Sequence, residues 1–367
     1  MPIYLDYNAT NLVRPEVLGV INAVLEQPAN PSSVHALGRQ AKKYVEDARQ
    51  VVADTISCWP DEVIFTSSGT EANATALGCA KGDVIISSIE HSSVWNRFSK
   101  DHIDRHIPVD ANGHIIMTSL EGMLEKFKPQ LVSVMLANNE TGVINNIAEI
   151  AKLCKAHGTL LHCDAAQGLG KMRVDVGALG VDMLTLSAHK CGGPVGAAAL
   201  VIRRGTPFTP LLTGGGQEGR RRAGTENVAA IAGFAKAVEC IDLDHMRKLR
   251  GWLTTMEETF MRKGGIVFGS DVLRLPNTSC VAMPDVSNEV QLMDFDLNGF
   301  CVSAGSACSS GRVETSHVLL AMGISEIIAQ CAIRISGGWN TKESEIQDFT
   351  KIWVTICERL ATKNAFA

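Results

Sequence analysis

The chain has little that would send it to a membrane, a nucleic acid or an oxidising compartment. Its apolar runs, such as residues 131–137, are the size of core strands and far short of a membrane span. The N-terminus reaches Asp6 without a basic start and an apolar stretch, so no signal peptide is expected. A net charge of −5 shows no bias toward polyanions, and the one basic cluster, Arg220-Arg221-Arg222, is too short for a nucleic-acid tail. Neither nucleic acid nor membrane is an expected partner. The 11 cysteines are odd in number and contain no CxxC pair, which argues against a disulfide framework and for a reducing, cytoplasmic setting. Cys154, His157, His162 and Cys163 have a loosely zinc-like spacing, but a helix, a turn and a strand separate them, so no metal site is expected. Gly214 to Gly219 satisfies GxGxxG, yet arginines follow it where a strand-loop-helix unit is needed, which speaks against a dinucleotide.

What is present points to a large α/β protein. The 367 residues, 46% hydrophobic and 20% charged, suit one large domain or a large one with a smaller companion. Apolar residues at helical spacing predict a helix over 35–56. Strands are expected at 62–65, 83–86, 131–136, 159–163, 182–187 and 196–202, and a helix over 147–156. Alternation of this kind implies a mostly parallel sheet with helices on both faces. Further helices are expected over 225–240, 243–261, 287–297 and 342–360, with strands at 266–268, 278–282, 300–302 and 331–336. A domain boundary is expected near residues 240–262.

Ligands of such sheets sit beyond the carboxyl ends of the strands. Four polar clusters follow strands here: Glu90-His91, Asn138-Asn139-Glu140, Asp164 with Gln167, and Ser187-Ala188-His189-Lys190. Their equivalent positions imply one active-site crevice. Lys190 stands in a crowded turn between two apolar strands. Either its head snorkels to water, or it is desolvated, its pKa falls, and its amine becomes a nucleophile suited to a Schiff base. The stretch Thr66 to Asn73 runs from a strand through a Ser/Gly/Thr turn into a helix, which is either a plain capped start or a phosphate site. Cys308 lies in the run Ser303 to Gly311, where every other residue is small. Such a loop is expected to be exposed and mobile, as a reactive thiolate requires; a linker that happens to hold a cysteine is the alternative. Arg334, on a strand, suits bidentate capture of a carboxylate or an ordinary ion pair.

These motifs, together with Asp6 to Thr10, Asn30 to His35, Gly214 to Glu218, Gly224-Thr225, Leu275 to Thr278 and Gly305 to Cys308, resemble the cysteine desulfurases of the NifS/IscS type. The resemblance runs in order from the N-terminus to Ser336. It implies a fold-type-I, pyridoxal-phosphate-dependent transferase of the class V aminotransferase family, with a central sheet plus a smaller α+β C-terminal domain. The large domain would span 15–245; residues 1–14 and 246–367 would form the small one and carry the cysteine loop. It also implies a homodimer that converts L-cysteine to L-alanine and leaves a persulfide on Cys308, for a sulfur acceptor or iron–sulfur scaffold protein. Lys190 would bind the cofactor as a Schiff base and then move protons. Asp164 would pair with the pyridinium nitrogen, Gln167 with the ring hydroxyl, and His91 would lie over the ring as stacking partner and catalytic acid/base. Gly69, Thr70, Ser187 and His189 would hold the phosphate, with Thr225 reaching it from the partner subunit. Arg334 and Asn139 would fix the substrate carboxylate.

Departures from the family pattern are visible too. Val195 stands where a lysine is common, in Gly193-Pro194-Val195-Gly196, and the usual Gln-Glu-Arg-Gly order appears as Gln217-Glu218-Gly219-Arg220. The C-terminal extension used for scaffold docking is not seen. Other readings of the same residues are a selenocysteine lyase or another class V enzyme, and a non-catalytic subunit of a sulfur-transfer assembly.

Overall fold

The computed structural model describes residues 2–28, 30–98, 105–305 and 315–364. In chain order the strands are β1 (Ile3–Tyr4), β2 (Val63–Thr66), β3 (Val84–Ser87), β4 (His106–Ile107), β5 (Leu131–Ser133), β6 (Leu160–Asp164), β7 (Met183–Ser187), β8 (Ala198–Ile202), β9 (Ile266–Val267), β10 (Thr278–Ala282), β11 (Phe300–Cys301) and β12 (Ala332–Ser336). The helices are α1 (Pro15–Leu25), α2 (Ala36–Thr55), α3 (Gly69–Gly78), α4 (Ser92–Phe98), α5 (Met117–Phe127), α6 (Ile147–Ala156), α7 (Val176–Leu179), α8 (Val228–Glu239), α9 (Leu243–Arg262), α10 (Asn288–Leu297), α11 (His317–Ala321), α12 (Glu326–Ala329) and α13 (Glu343–Asn364). None of the helices among the described residues is long and apolar enough to cross a membrane.

A seven-stranded sheet in the order β2-β8-β7-β6-β5-β3-β4 organises the larger part of the chain. Only β8 runs against its neighbours; the other pairings are parallel. Side chains alternate between the two faces because the strand period is two. On β2 and β8, for example, Val63, Phe65, Ala199 and Val201 join one apolar core with α2 and α8, whereas Ile64, Leu200 and Ile202 join another with Ala72, Ala76 and Leu77 of α3. Burial on both faces explains why these strands read as continuous apolar runs.

Capping sets where the helices begin. His35 caps α2, Nδ1 accepting from the Gly38 N–H at 3.3 Å, and the stripe Ala41, Val45, Ala48 and Val52 faces the core. Ser68 caps α3 through a 3.1 Å bond from the Glu71 N–H. Asn146 does the same for α6. The run beginning at Leu131 pairs regularly only to Ser133, although the Val134 and Leu136 N–H groups still donate to the His162 and Asp164 carbonyls of β6.

A second core gathers Leu5 with residues from Met246 to Ile356. The rings of Phe260 and Trp353 stack 4.1 Å apart within it. Its strands are the antiparallel trio β12-β10-β9 and the short parallel pair β1-β11. Through β1, the N-terminal residues cross from this second core to the crevice of the first.

Candidate active site

The parallel strands deliver their ends to one cavity of about 430 Å³. Asp164 closes β6, Ser187 closes β7, and His189 and Lys190 follow on a single 3-10 turn. His91 and Asn139 come from the turns after β3 and β5. Arg334 arrives from the middle of β12, and Gly69 and Thr70 from the first turn of α3. Ten of the residues singled out from the sequence, His91, Gly69, Thr70, Asn139, Asp164, Gln167, Ser187, His189, Lys190 and Arg334, therefore line one space.

Lys190 is partly buried, and its Nζ donates to the backbone carbonyls of Asn8 at 2.6 Å and Ala9 at 2.8 Å. Desolvation, with the nearby positive charge of Arg334, lowers its pKa to about 8. The amine is thus desolvated, not snorkelling, and its neutral fraction near physiological pH is far above that of an ordinary lysine. Asp164 is held from two sides: Oδ1 accepts the Ala166 N–H at 2.9 Å and Oδ2 accepts Asn73 Nδ2 at 2.7 Å. Asn73 Nδ2 also reaches Ser93 Oγ at 2.9 Å, and that hydroxyl lies 2.8 Å from His91 Nδ1. The Ser93 N–H donates to the same Nδ1, which leaves Nε2 to carry the proton of the neutral ring. Desolvation lowers the His91 pKa, Lys190 adding to the effect, and burial takes His189 down to about 4. Both imidazoles are therefore suited to act in neutral form.

Where β12 meets the cavity, Arg334 is 5% exposed. Its Nη2 donates to Asp6 Oδ1 at 2.7 Å and its Nη1 to the Asn139 carbonyl at 3.2 Å, while Nε has no partner. The sequence left a surface ion pair open here; the pair is instead buried, with donor capacity to spare. Ser187 Oγ is another buried polar atom without a partner. It lies close to Gly69 at the start of α3, where the free N–H groups and dipole favour an anion. A donor-lined end, a carboxylate, a desolvated amine and an imidazole in one cavity fit pyridoxal phosphate.

Two expected residues stand apart. Thr225 does not line this cavity; it lines a separate one with Arg222, Asn227 and Thr66. Cys308 lies outside the described residues. The described chain stops at Gly305 and resumes at Thr315, and both Gly305 and His317 are on the cavity wall.

Sequence reasoning missed several participants. Asn8 joins both lysines and Gln167, and Asn73 links Asp164 to His91 through Ser93, although both asparagines lie within motifs already singled out. His317 stacks on Trp95 at 4.7 Å and bonds the Glu90 carbonyl through Nε2. Lys171, four residues after Gln167, had one available signal: a lysine among apolar neighbours in a tight Gly-rich turn. His162, weighed earlier beside cysteines, has its two ring nitrogens taken by the hydroxyls of Ser133 and Thr185.

A desolvated lysine and a carboxylate in one cavity, at the carboxyl ends of a mostly parallel sheet, fit a class V aminotransferase. The pattern of that family, described as Aminotransferase class-V, matches residues 3–349, and the chain belongs to it. Within the family it is 38% identical to a cysteine desulfurase of Cereibacter sphaeroides, over 99% of this chain and 98% of that protein. It is equally identical to the cysteine desulfurase IscS of Dictyoglomus turgidum, over 98% and 95%. Among solved structures, a NifS-like protein from Rickettsia africae superposes with a TM-score of 0.90 at 35% identity, covering 98% of this chain and 100% of that one. A structure of SspA in complex with cysteine gives 0.80 at 31% identity, over 91% and 98%.

Proposed function

We propose that this chain is a pyridoxal-phosphate-dependent cysteine desulfurase that removes sulfur from L-cysteine, giving L-alanine and a persulfide on Cys308. The desolvated Lys190 amine, held in one cavity with Asp164, Arg334 and the α3 N-terminus, is the observation that carries this reading. The cofactor, when bound, supplies an electron sink for the α-carbon of the amino acid.

The chain's own residues do the rest. Gly69, Thr70, Ser187 and His189 would hold the phosphate, Asp164 would keep the pyridinium nitrogen protonated, Gln167 would donate to the ring hydroxyl, and His91 would cover the ring. Lys190 would hold the cofactor, and its Nζ would carry protons to and from the substrate. Arg334 and Asn139 orient the substrate carboxylate. The Cys308 thiolate attacks the substrate sulfur: an S–S bond forms and the C–S bond breaks. Its electron pair stays with the substrate, whose carbon takes up a proton and leaves as alanine. Cys308 is three residues beyond the wall residue Gly305, a span of at most about 10 Å, which supports its reaching the cavity.

The chain divides, on this reading, into a cofactor-holding part at 15–245 and a smaller part of 1–14 and 246–367. The second apolar core, in which Leu5 joins Leu249, Phe260, Phe349 and Trp353, supports the division, while Phe268, Cys280, Val318 and Leu319 pack with the first core and tie the two parts together. Thr225 lines a pocket other than its own chain's cavity, which supports a homodimer in which it serves the partner. Free thiols at the described cysteines support a reducing, cytoplasmic setting, and a sulfur acceptor or iron–sulfur scaffold protein is the recipient of the persulfide.

The test is alanine formation from L-cysteine with a reductant, comparing wild type with Cys308→Ala. Alanine from the wild type alone is expected. Equal alanine from both removes Cys308 from the mechanism and favours a lyase.

A further inference from the structure

Lys171 is 5% exposed, and its partners are two side-chain amide oxygens, not a carboxylate: Asn8 Oδ1 at 2.8 Å and Gln167 Oε1. A lysine so placed is costly unless the contacts it makes are needed. The neighbouring bonds fix the polarity of each amide. Asn8 Nδ2 donates to the Asn139 carbonyl at 3.1 Å and to Thr278 Oγ1 at 2.9 Å, so its Oδ1 must be the end that faces Lys171. Gln167 Nε2 donates to the backbone carbonyl of Asn8 at 3.1 Å, an atom that can only accept. Lys171 Nζ, a donor, holds the opposite end of the same amide. Were Gln167 flipped, its NH2 would face the N–H groups of Lys171, and its oxygen would face the Asn8 carbonyl.

We propose that Lys171 is a positioning residue of the cofactor site, holding the Gln167 side-chain oxygen so that the amide NH2 is the end turned to a ligand in the cavity. This rests on the reading that the cavity takes pyridoxal phosphate. The cofactor's ring oxygen is acidic and in its anionic form needs a donor, not a second acceptor. One hydrogen of Nε2 serves Asn8; the other remains for that oxygen. The interior location and the Gly168 to Lys171 turn let a side chain four residues on reach back to Gln167, which a surface lysine could not do.

The experiment uses holoenzyme loaded with pyridoxal phosphate and reads two properties other than turnover: the pH midpoint at which the bound cofactor's absorption changes, and the rate at which cofactor is lost on dialysis. A donor on the ring oxygen stabilises its anion, so losing the donor raises the midpoint. Lys171→Met is expected to raise it by about one pH unit and to speed cofactor loss roughly tenfold. Gln167→Ala should do the same, and Lys171→Met should add little in the Gln167→Ala background, because the two act through one bond. Additive shifts, or a Lys171→Met midpoint equal to wild type, overturn the proposal. Lys171→Arg, which keeps N–H donors, is expected to titrate like wild type. Should Lys171→Met fail to fold, Lys171→Arg carries the test alone, and a midpoint like that of Gln167→Ala overturns the proposal. Wild-type protein that takes up no cofactor refutes the cofactor reading itself; wild type that titrates alongside unshifted variants refutes only the role of Lys171.

Discussion

Buried charge is handled in opposite ways at two places in this molecule. Away from the cavity, Arg49 meets Glu218 through two bonds of 2.7 and 2.9 Å, and Glu218 also accepts the Phe65 N–H. Arg274 and Arg250 likewise converge on Glu257. The hydrogen bond and charge of Glu218 outweigh desolvation and hold Arg49 above its ordinary pKa. Lys190 in the cavity and Lys171 next to it, bonded to the wall residue Gln167, meet only neutral oxygens, and Ser187 Oγ and Arg334 Nε meet nothing. These two clusters neutralise their charges within the fold, whereas the two lysines keep neutral partners, and Ser187 Oγ and Arg334 Nε leave polar capacity that a ligand can use.

Removing the reserved amine breaks that contrast most severely. Lys190→Ala is expected to cut alanine formation by roughly ten-thousand-fold or more, in an assay with added cofactor, while the protein stays folded. The paired region should respond in stability instead. Glu218→Gln, which leaves Arg49 buried beside a neutral amide, is expected to cost about 3 kcal/mol in denaturant unfolding, without the collapse of turnover produced by Lys190→Ala. If Glu218→Gln abolishes turnover in folded protein, the division between structural and functional charge is wrong.

A pH series sharpens the same contrast. The folded Lys190 pKa, about 8, lies below the ordinary lysine value of about 10.4 because burial disfavours the ammonium. Its neutral, nucleophilic fraction grows as pH rises and is nearly complete one unit above that pKa. Loading of apoenzyme with pyridoxal phosphate is therefore expected to accelerate roughly tenfold per unit below pH 8 and to level off above about 9. A rate still climbing at pH 10 would mean an ordinary, solvated lysine.

The smallest effect concerns the loop that carries Glu218. Three successive residues there, Glu218, Gly219 and Arg220, have positive φ of 47°, 61° and 65°. The related sequences commonly place glycine at the third of these positions, and this chain places it at the second. Arg220→Gly is expected to add about 1 kcal/mol of stability by thermal unfolding, since a left-handed conformation costs a residue with a Cβ on that scale. No gain would show that contacts of the Arg220 side chain offset the strain.

Much of the fold was legible because burial on both faces writes itself as continuous apolar strands. The helix Ile147–Ala156 and the strand Thr278–Ala282 have the bounds expected of them. Leu131 to Leu136 reads as one strand, whereas regular pairing ends at Ser133 and Val134 and Leu136 keep only single bonds to β6, a change that apolar content does not signal. Helix α1 was not anticipated, although Pro15 at its first turn was a usable sign. Lys190, Asp164, His91 and Arg334 were legible as polar residues in strand-end or strand positions where apolar ones are the rule.

By itself the sequence determined which residue types stand at the strand ends, since alternation and turn chemistry are local and periodic. Only the tertiary structure decided which oxygen of Gln167 and Asn8 faces which donor, that Asn73 ties Asp164 to His91, and that Asp6 shares Arg334. Those contacts join residues as much as 328 positions apart. Their identity depends on packing and hydrogen-bond polarity, which no local pattern records.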